Sequence, residues 1–181
     1  MVEIEPLYIK TSEIKSHTDE LLCGRKVFLT GNIYTARDAA HKRFFEFIKK
    51  DEKLPIEIDG AVIYYAGPTP APDGFAVGAC GPTTSCRMDP YTPTLFDMGL
   101  SGVIGKGERN DDVINAIVRN KAVYFCALGG AGALCADSIK SSDVIAFDDL
   151  GCESVKCMRV ENFPLIVAID SKGNNIFKRD K

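Results

Sequence analysis

Apolar residues along this chain fall into two kinds of run, and the kinds alternate. Runs rich in β-branched and aromatic residues read as strands over 26–31 (KVFLTG), 60–66 (GAVIYYA), 74–79 (GFAVGA), 101–105, 122–127, 143–148, 154–161 and 164–170. Between the first two lies ARDAAHKRFFEFIKK, where Ala40, Phe44, Phe47 and Ile48 recur at helical spacing. Thr35 followed by Asp38 stands at capping-box separation, so a helix is expected over 36–50. Asn110 ahead of DDVINAIVRN supplies an N-cap and first-turn acids for a second helix ending near Asn120. Strands alternating with helices predict an α/β fold. GPTPAPDG (67–74) holds three prolines and two glycines, which makes it a loop. The last two strands are expected to pair across turns such as SKGN as an antiparallel addition to a parallel core. Residues 1–20 carry a weak pattern and leave an N-terminal arm open.

Composition narrows this picture. The 181 residues suit one domain over 1–181, and 45% hydrophobic with 26% charged residues is ordinary globular usage. No apolar run approaches the ~18 residues of a membrane span, and the N-terminus lacks the basic-then-apolar order of a signal peptide. A cytoplasmic protein with no membrane partner is expected. Lys and Arg number 22 against 25 Asp and Glu, so no basic field exists to attract nucleic acid. The seven cysteines are odd in number and none form C-x-x-C, which excludes a complete disulfide framework and signals no metal site. Most are expected to be buried thiols in a reducing compartment.

Three polar segments each follow an expected strand: TGNIYTARDAAHKR the first, GPTTSCRM the third and GKGERN the fourth. In open α/β sheets ligands bind at the carboxyl ends of strands. Each segment carries a cation, namely Arg37, Arg87 and Lys106. Arginine forks match planar carboxylates and lysine is a compact point charge, so two arginines and a lysine fit a small dicarboxylate. The plainer alternative makes Arg37 and Arg87 helix-surface residues paired with Asp38 and Asp89. Phosphate is the competing anion. However, GVIGKGE lacks the spacing and hydroxyl of a P-loop, and the six residues between Cys80 and Arg87 are one too many for a thiol phosphatase. GGAGAL (129–134) is not G-x-G-x-x-G and reads as a backbone-packing device. His41, one turn after Arg37, can reach the same site, although a solvated or capping histidine is the commoner reading, and with His17 it makes no metal centre.

LTGNIYTARDAAHKRF, YYAGPTPAP, GPTTSCRMDPYTP, GVIGKG, GGAGAL and VENFPLIVAIDSKGN together resemble the β-subunit, or C-terminal domain, of the iron–sulfur class I fumarases and L-tartrate dehydratases. The resemblance covers residues 24–174. It implies a three-layer β/β/α swivelling domain with a mostly parallel central sheet and a second, antiparallel layer built partly from 154–170. It also implies a hydro-lyase whose [4Fe-4S] cluster is bound by a partner α-subunit, in an α2β2 assembly, with no metal ligands in this chain. Carried onto this sequence, Thr83 resembles the group that exchanges the C3 proton. Arg37, Arg87 and Lys106 resemble the substrate-carboxylate ligands, with Thr84 beside them, and Arg87 and Lys106 also take part in catalysis. Cys86 fills a variable position as a small buried group. YYAGPTPAP and VENFPLIVAIDSKGN look closer to fumarases, so hydration of fumarate to (S)-malate is expected. L-tartrate dehydration, or a non-catalytic dicarboxylate-binding module, is the alternative.

Overall fold

A computed structural model describes residues 5–127 and 132–178. One mixed sheet organises them, with strands β1 (Leu7–Lys10), β2 (Lys26–Thr35), β3 (Val62–Tyr64), β4 (Gly102–Gly105), β5 (Val123–Ala127), β6 (Ile139–Ala146) and β7 (Val155–Ile169). The order is β1-β2-β3-β4-β5-β7-β6. Pairings from β1 through β5 are parallel, and β7 is antiparallel to β2, β5 and β6. Because β7 pairs with both β5 and β2, the sheet closes on itself through β2, β3, β4, β5 and β7. Helices α1 (Asp38–Lys49), α2 (Thr92–Asp97), α3 (Asp111–Asn120) and α4 (Gly132–Ser138) fill the connections.

The two-residue period of the parallel strands sends successive side chains to opposite apolar clusters. Val62, Tyr64, Ile104, Val123 and Phe125 join Val27, Leu29, Phe163 and Leu165 in the cluster enclosed by the sheet. Ile63, Tyr65, Val103 and Tyr124 join Phe44, Leu95, Phe96, Val113 and Ile117 in the cluster between sheet and helices. Burial on both faces is why these strands are short, continuous apolar runs.

Several expectations change. GFAVGA (74–79) forms no strand: the chain folds back as a loop, with Thr69 N donating to Ala79 O at 3.1 Å and Gly78 N to Thr69 O at 3.1 Å. A Cβ on Gly78 would overlap the Thr69 hydroxyl, so the glycine that weakens the strand also permits the fold-back. The segments 154–161 and 164–170 are one strand. The gap expected at 162–163 is absorbed by a bulge between Leu29 and Gly31 of β2 and by Asn162 in the left-handed region (φ 51), so pairing continues on both sides. The strand expected over 143–148 lies at 139–146. Thr35 does not cap α1. It ends β2, where its buried hydroxyl donates to Ser154 O (3.3 Å) and accepts from Lys156 N (3.1 Å), and the N-cap position falls to Arg37. Asn110 does cap α3, accepting from Val113 N at 3.0 Å. The SKGN turn closes through Gly173 N and Asp170 O at 3.0 Å. Within 1–20, residues 7–10 form β1 on β2, and Ile9 and Ile14 are buried. Of GGAGAL, residues 129–131 lie outside the described residues.

Candidate active site

The parallel register brings the C-terminal ends of β2, β3 and β4 to one edge, and the chain leaving each end supplies polar groups. Arg37 stands two positions beyond β2 with extended backbone (φ −114, ψ −164), where α1 begins. Its Nη2 lies 3.3 Å from Glu153 Oε1, and its Nε is buried with no partner among the described residues. Lys106 directly follows β4, is exposed, and has no ion pair among the described residues.

GPTTSCRM reaches this edge differently from the sequence expectation. It follows the 67–81 loop rather than a strand, and it lies across the ends of β3 and β4. Pro82 bridges Ala66 antiparallel, Thr83 N donates to Tyr65 O at 2.7 Å, and Thr84 bridges Lys106 in parallel. Ser85 N donates to Lys106 O at 3.0 Å, while Ser85 Oγ accepts from Lys106 N at 2.9 Å. The chain then makes a single 3-10 turn over Ser85–Met88, which presents Arg87. Arg87 Nε pairs with Asp38 Oδ1 at 2.9 Å and ties this segment to the first turn of α1. Thr83 is half-buried and Thr84 exposed. The five residues expected to form the site thus share one edge. Three cations against the two carboxylates of Asp38 and Glu153 leave it formally one charge positive. That suits an anion of small size.

The expected surface pairs are only partly present. Arg87 takes Asp38, but Arg37 takes Glu153, and Asp89 is held by Arg109. Beneath the site Arg109 is fully buried. Its Nε donates to Asp89 Oδ1 at 2.6 Å, its Nη2 to Thr92 Oγ1 at 2.8 Å, and its Cζ lies 5.4 Å and 5.0 Å from the rings of Tyr65 and Tyr124. Asp89 also accepts from Asn110 N at 2.9 Å, so one carboxylate joins the site segment to the start of α3. A buried cation between two aromatic faces and a carboxylate is a strut, although its Nη1 is buried without a partner among the described residues, and Lys106, three residues earlier, is left as the exposed charge.

His41 is buried rather than solvated, packed among Phe44, Tyr65 and Tyr91. Its Nδ1 is 2.9 Å from Arg37 O; a carbonyl only accepts, so Nδ1 carries the hydrogen. Burial holds its pKa down to about 4, which keeps the ring neutral, and Nε2 has no partner among the described residues.

The thiols also depart from expectation. Only Cys80 and Cys135 are buried, and Cys86 and Cys152 are exposed. Burial pushes Cys80 up to about 12 and raises Cys23, Cys126, Cys135 and Cys157, so these sulfurs are protonated thiols near neutral pH. Among the described residues no three of His, Cys, Asp and Glu gather as a metal site. Sequence reasoning missed Glu153 and Arg109. Glu153 stands 114 residues from Ala39, the α1 residue it also touches, so no local spacing announces it. Arg109 had a local signal, a charge just ahead of the Asn110 cap in GKGERN.

Comparison with known proteins places the chain in a family. The family described as Fumarase C-terminus matches residues 2–180. Fumarate hydratase 2 of Leishmania major is 36% identical over 169 residues, 92% of this chain and 30% of that protein. The aerobic class I fumarate hydratase of Escherichia coli is 36% identical, covering 92% of this chain and 31% of that protein. A putative L(+)-tartrate dehydratase subunit beta of Methanocaldococcus jannaschii is 39% identical over 170 residues, 91% of this chain and 87% of that subunit. The chain thus spans about a third of the fumarate hydratases and most of the tartrate dehydratase subunit. With nearly every residue inside the match, this chain belongs to the fumarase C-terminal domain family.

Proposed function

We propose that this chain is the β-subunit of an iron–sulfur hydro-lyase that reversibly hydrates fumarate to (S)-malate. The observation that carries this reading is the set of Arg37, Arg87 and Lys106 at adjacent strand ends, beside the hydroxyls of Thr83 and Thr84. Arg37 binds one substrate carboxylate. Arg87 and Lys106 hold the carboxylate next to C3, with Thr84 alongside. Removing the C3 proton builds charge on that neighbouring carboxylate, and fixed cations stabilise it by roughly 3–4 kcal/mol per donor. Thr83 Oγ is the proton-transfer atom, taking the C3 proton as an alkoxide favoured by the neighbouring cations and giving it back from the hydroxyl, its backbone fixed by the Tyr65 carbonyl. As the resemblance implies, we assign the [4Fe-4S] cluster to a partner α-subunit, where it would supply Lewis-acid chemistry. The chemistry of this chain is then binding and proton transfer.

The same reading makes the chain one domain in an α2β2 cytoplasmic enzyme. No helix among the described residues is long and apolar enough to cross a membrane. Its fold is read as the β/β/α swivelling arrangement, supported by one apolar cluster enclosed by the sheet and another beneath the helices.

A second reading, the β-subunit of an L-tartrate dehydratase, is favoured by the near-full coverage of the Methanocaldococcus subunit. Both are tested by producing the chain with a cluster-bearing partner under anaerobic conditions and comparing kcat/KM for malate and tartrate. The complex is expected to turn over malate and the chain alone to be inactive. Robust turnover by the chain alone without iron overturns the assignment, and a tartrate preference selects the second reading.

A further inference from the structure

We infer that Glu153 is a positioning residue for the carboxylate-binding arginine Arg37. The inference rests on the reading that Arg37 binds substrate, and it brings into the site a segment with no motif of its own. The connection between β6 and β7 runs through two 3-10 turns over Asp148–Glu153, kinked at Gly151 (φ 59), and none of its residues is buried. Polar contacts hold it to α1. Arg43 makes a two-pronged pair with Asp149 and lies over the ring of Phe147, with 5.0 Å from Cζ to the centroid. At the other end Glu153 uses both carboxylate oxygens. Oε2 accepts from Ala39 N at 3.3 Å, inside the first turn of α1, and Oε1 faces Arg37 Nη2 at 3.3 Å. Arg37, the N-cap residue, has no side-chain capping bond, so Glu153 supplies from a distance the anion that a helix N-terminus favours.

The carboxylate is therefore anchored before it meets the guanidinium, and it fixes one side of Arg37. Backbone also lies close against the guanidinium. A Cβ at Gly67 would stand 3.0 Å from Arg37 Nη1 and 3.2 Å from the Cys152 carbonyl, so the glycine lets the chain lie against the guanidinium. Held by these contacts, Arg37 keeps its Nε hydrogen buried and unpartnered among the described residues. A buried charged donor without an acceptor is costly unless a ligand completes it, and an anchored fork loses less freedom when a carboxylate arrives. Glu153 thus sets the orientation of Arg37 without touching substrate, and its effect falls on binding.

The test is Glu153→Gln in the complex with the cluster-bearing partner, alone and combined with Arg37→Met. The readouts are KM and kcat for malate, the competitive inhibition constant of succinate as a non-reacting dicarboxylate, and Tm. Glu153 is 25% exposed and lies outside both apolar clusters, and the amide oxygen of glutamine still accepts from Ala39 N, so fold and helix cap persist. The expected result is a rise of roughly three- to tenfold in both KM and the succinate constant, with kcat and Tm nearly unchanged. Glu153→Asp, which restores the charge, recovers part of the loss, and Glu153→Gln has no further effect once Arg37→Met is present. Wild-type or lowered constants in Glu153→Gln overturn the positioning role, as does an equal effect with Arg37 absent. Unchanged constants in Arg37→Met alone overturn instead the reading of Arg37 as a substrate ligand.

Discussion

Ser85 and Lys106 bond to each other twice, Ser85 N to Lys106 O at 3.0 Å and Lys106 N to Ser85 Oγ at 2.9 Å. Through this pair the segment carrying Thr83, Thr84 and Arg87 is sewn to the end of β4. Tyr124 Oη joins it, 3.0 Å from Ser85 Oγ and donating to Gly107 O at 2.8 Å. Ser85→Ala leaves the Lys106 N–H without its acceptor, at a cost of about 1–3 kcal/mol. At about 2–4 °C per kcal/mol for a chain of this size, calorimetry should record a Tm lower by several degrees. Gly105→Ala should be worse, because its Cβ would overlap Ser85 Oγ and press on the Tyr65 ring.

Thr83→Ala in the assembled enzyme should lose at least roughly a hundredfold in kcat with little change in KM, since positioned proton transfer acts at the transition state. Thr83→Ser should retain more activity. Near-normal kcat in Thr83→Ala would make the hydroxyl structural and move the proton-transfer role to Thr84, Ser85 or the partner.

Neutralising Arg37 should chiefly raise KM, because a clamp that holds ground and transition states alike provides uniform binding. Arg87→Met and Lys106→Met should lower kcat as well, as both face the carboxylate that gains charge. Steady-state kinetics of the three variants separate these roles, and identical KM-only effects for all three would remove Arg87 and Lys106 from the chemical step.

Asp89→Asn leaves the buried guanidinium of Arg109 without its counter-charge. Breaking a buried pair from one side costs about 3–5 kcal/mol. Urea unfolding should show a lower midpoint at unchanged slope. A midpoint equal to wild type would mean that the aromatic faces of Tyr65 and Tyr124 suffice to hold Arg109.

His41 gives stability a pH dependence. Its pKa falls from an ordinary 6.5 to about 4 in the folded chain, because burial disfavours the charged ring. Between these values the unfolded chain binds a proton that the folded chain does not, so stability falls as pH drops from 6.5 towards 4, by up to about 3 kcal/mol. Above 6.5 this contribution is flat. His41→Phe should flatten the slope in that window when unfolding free energies are compared at several pH values; an unaltered slope would assign it to other groups.

Much of the fold was legible because its signals are local. Helix α3 is written in consecutive residues, with Asn110 as cap, acids in the first turn and apolar positions at helical spacing, and strands β3 to β5 are continuous apolar runs because both their faces are buried. Arg37, Arg87 and Lys106 were visible as cations in polar segments beside apolar runs. The sequence by itself thus determined helices α1 and α3, the short apolar strands of the parallel core and the charges available to an anion. Tertiary structure decided what those charges meet. Thr35 has the spacing of a cap, yet pairing between β2 and β7 takes its hydroxyl; GFAVGA has strand composition, yet the fold-back at Gly78 turns it into a loop. The pairing of Arg37 with Glu153, the strut of Arg109 on Asp89 and the neutrality of His41 depend on distance and burial. Hydrogen-bond spacing along a chain is read from neighbours, but electrostatic partners and desolvation are fixed only when segments distant in the sequence are packed together, as Glu153 is against Ala39, 114 residues away.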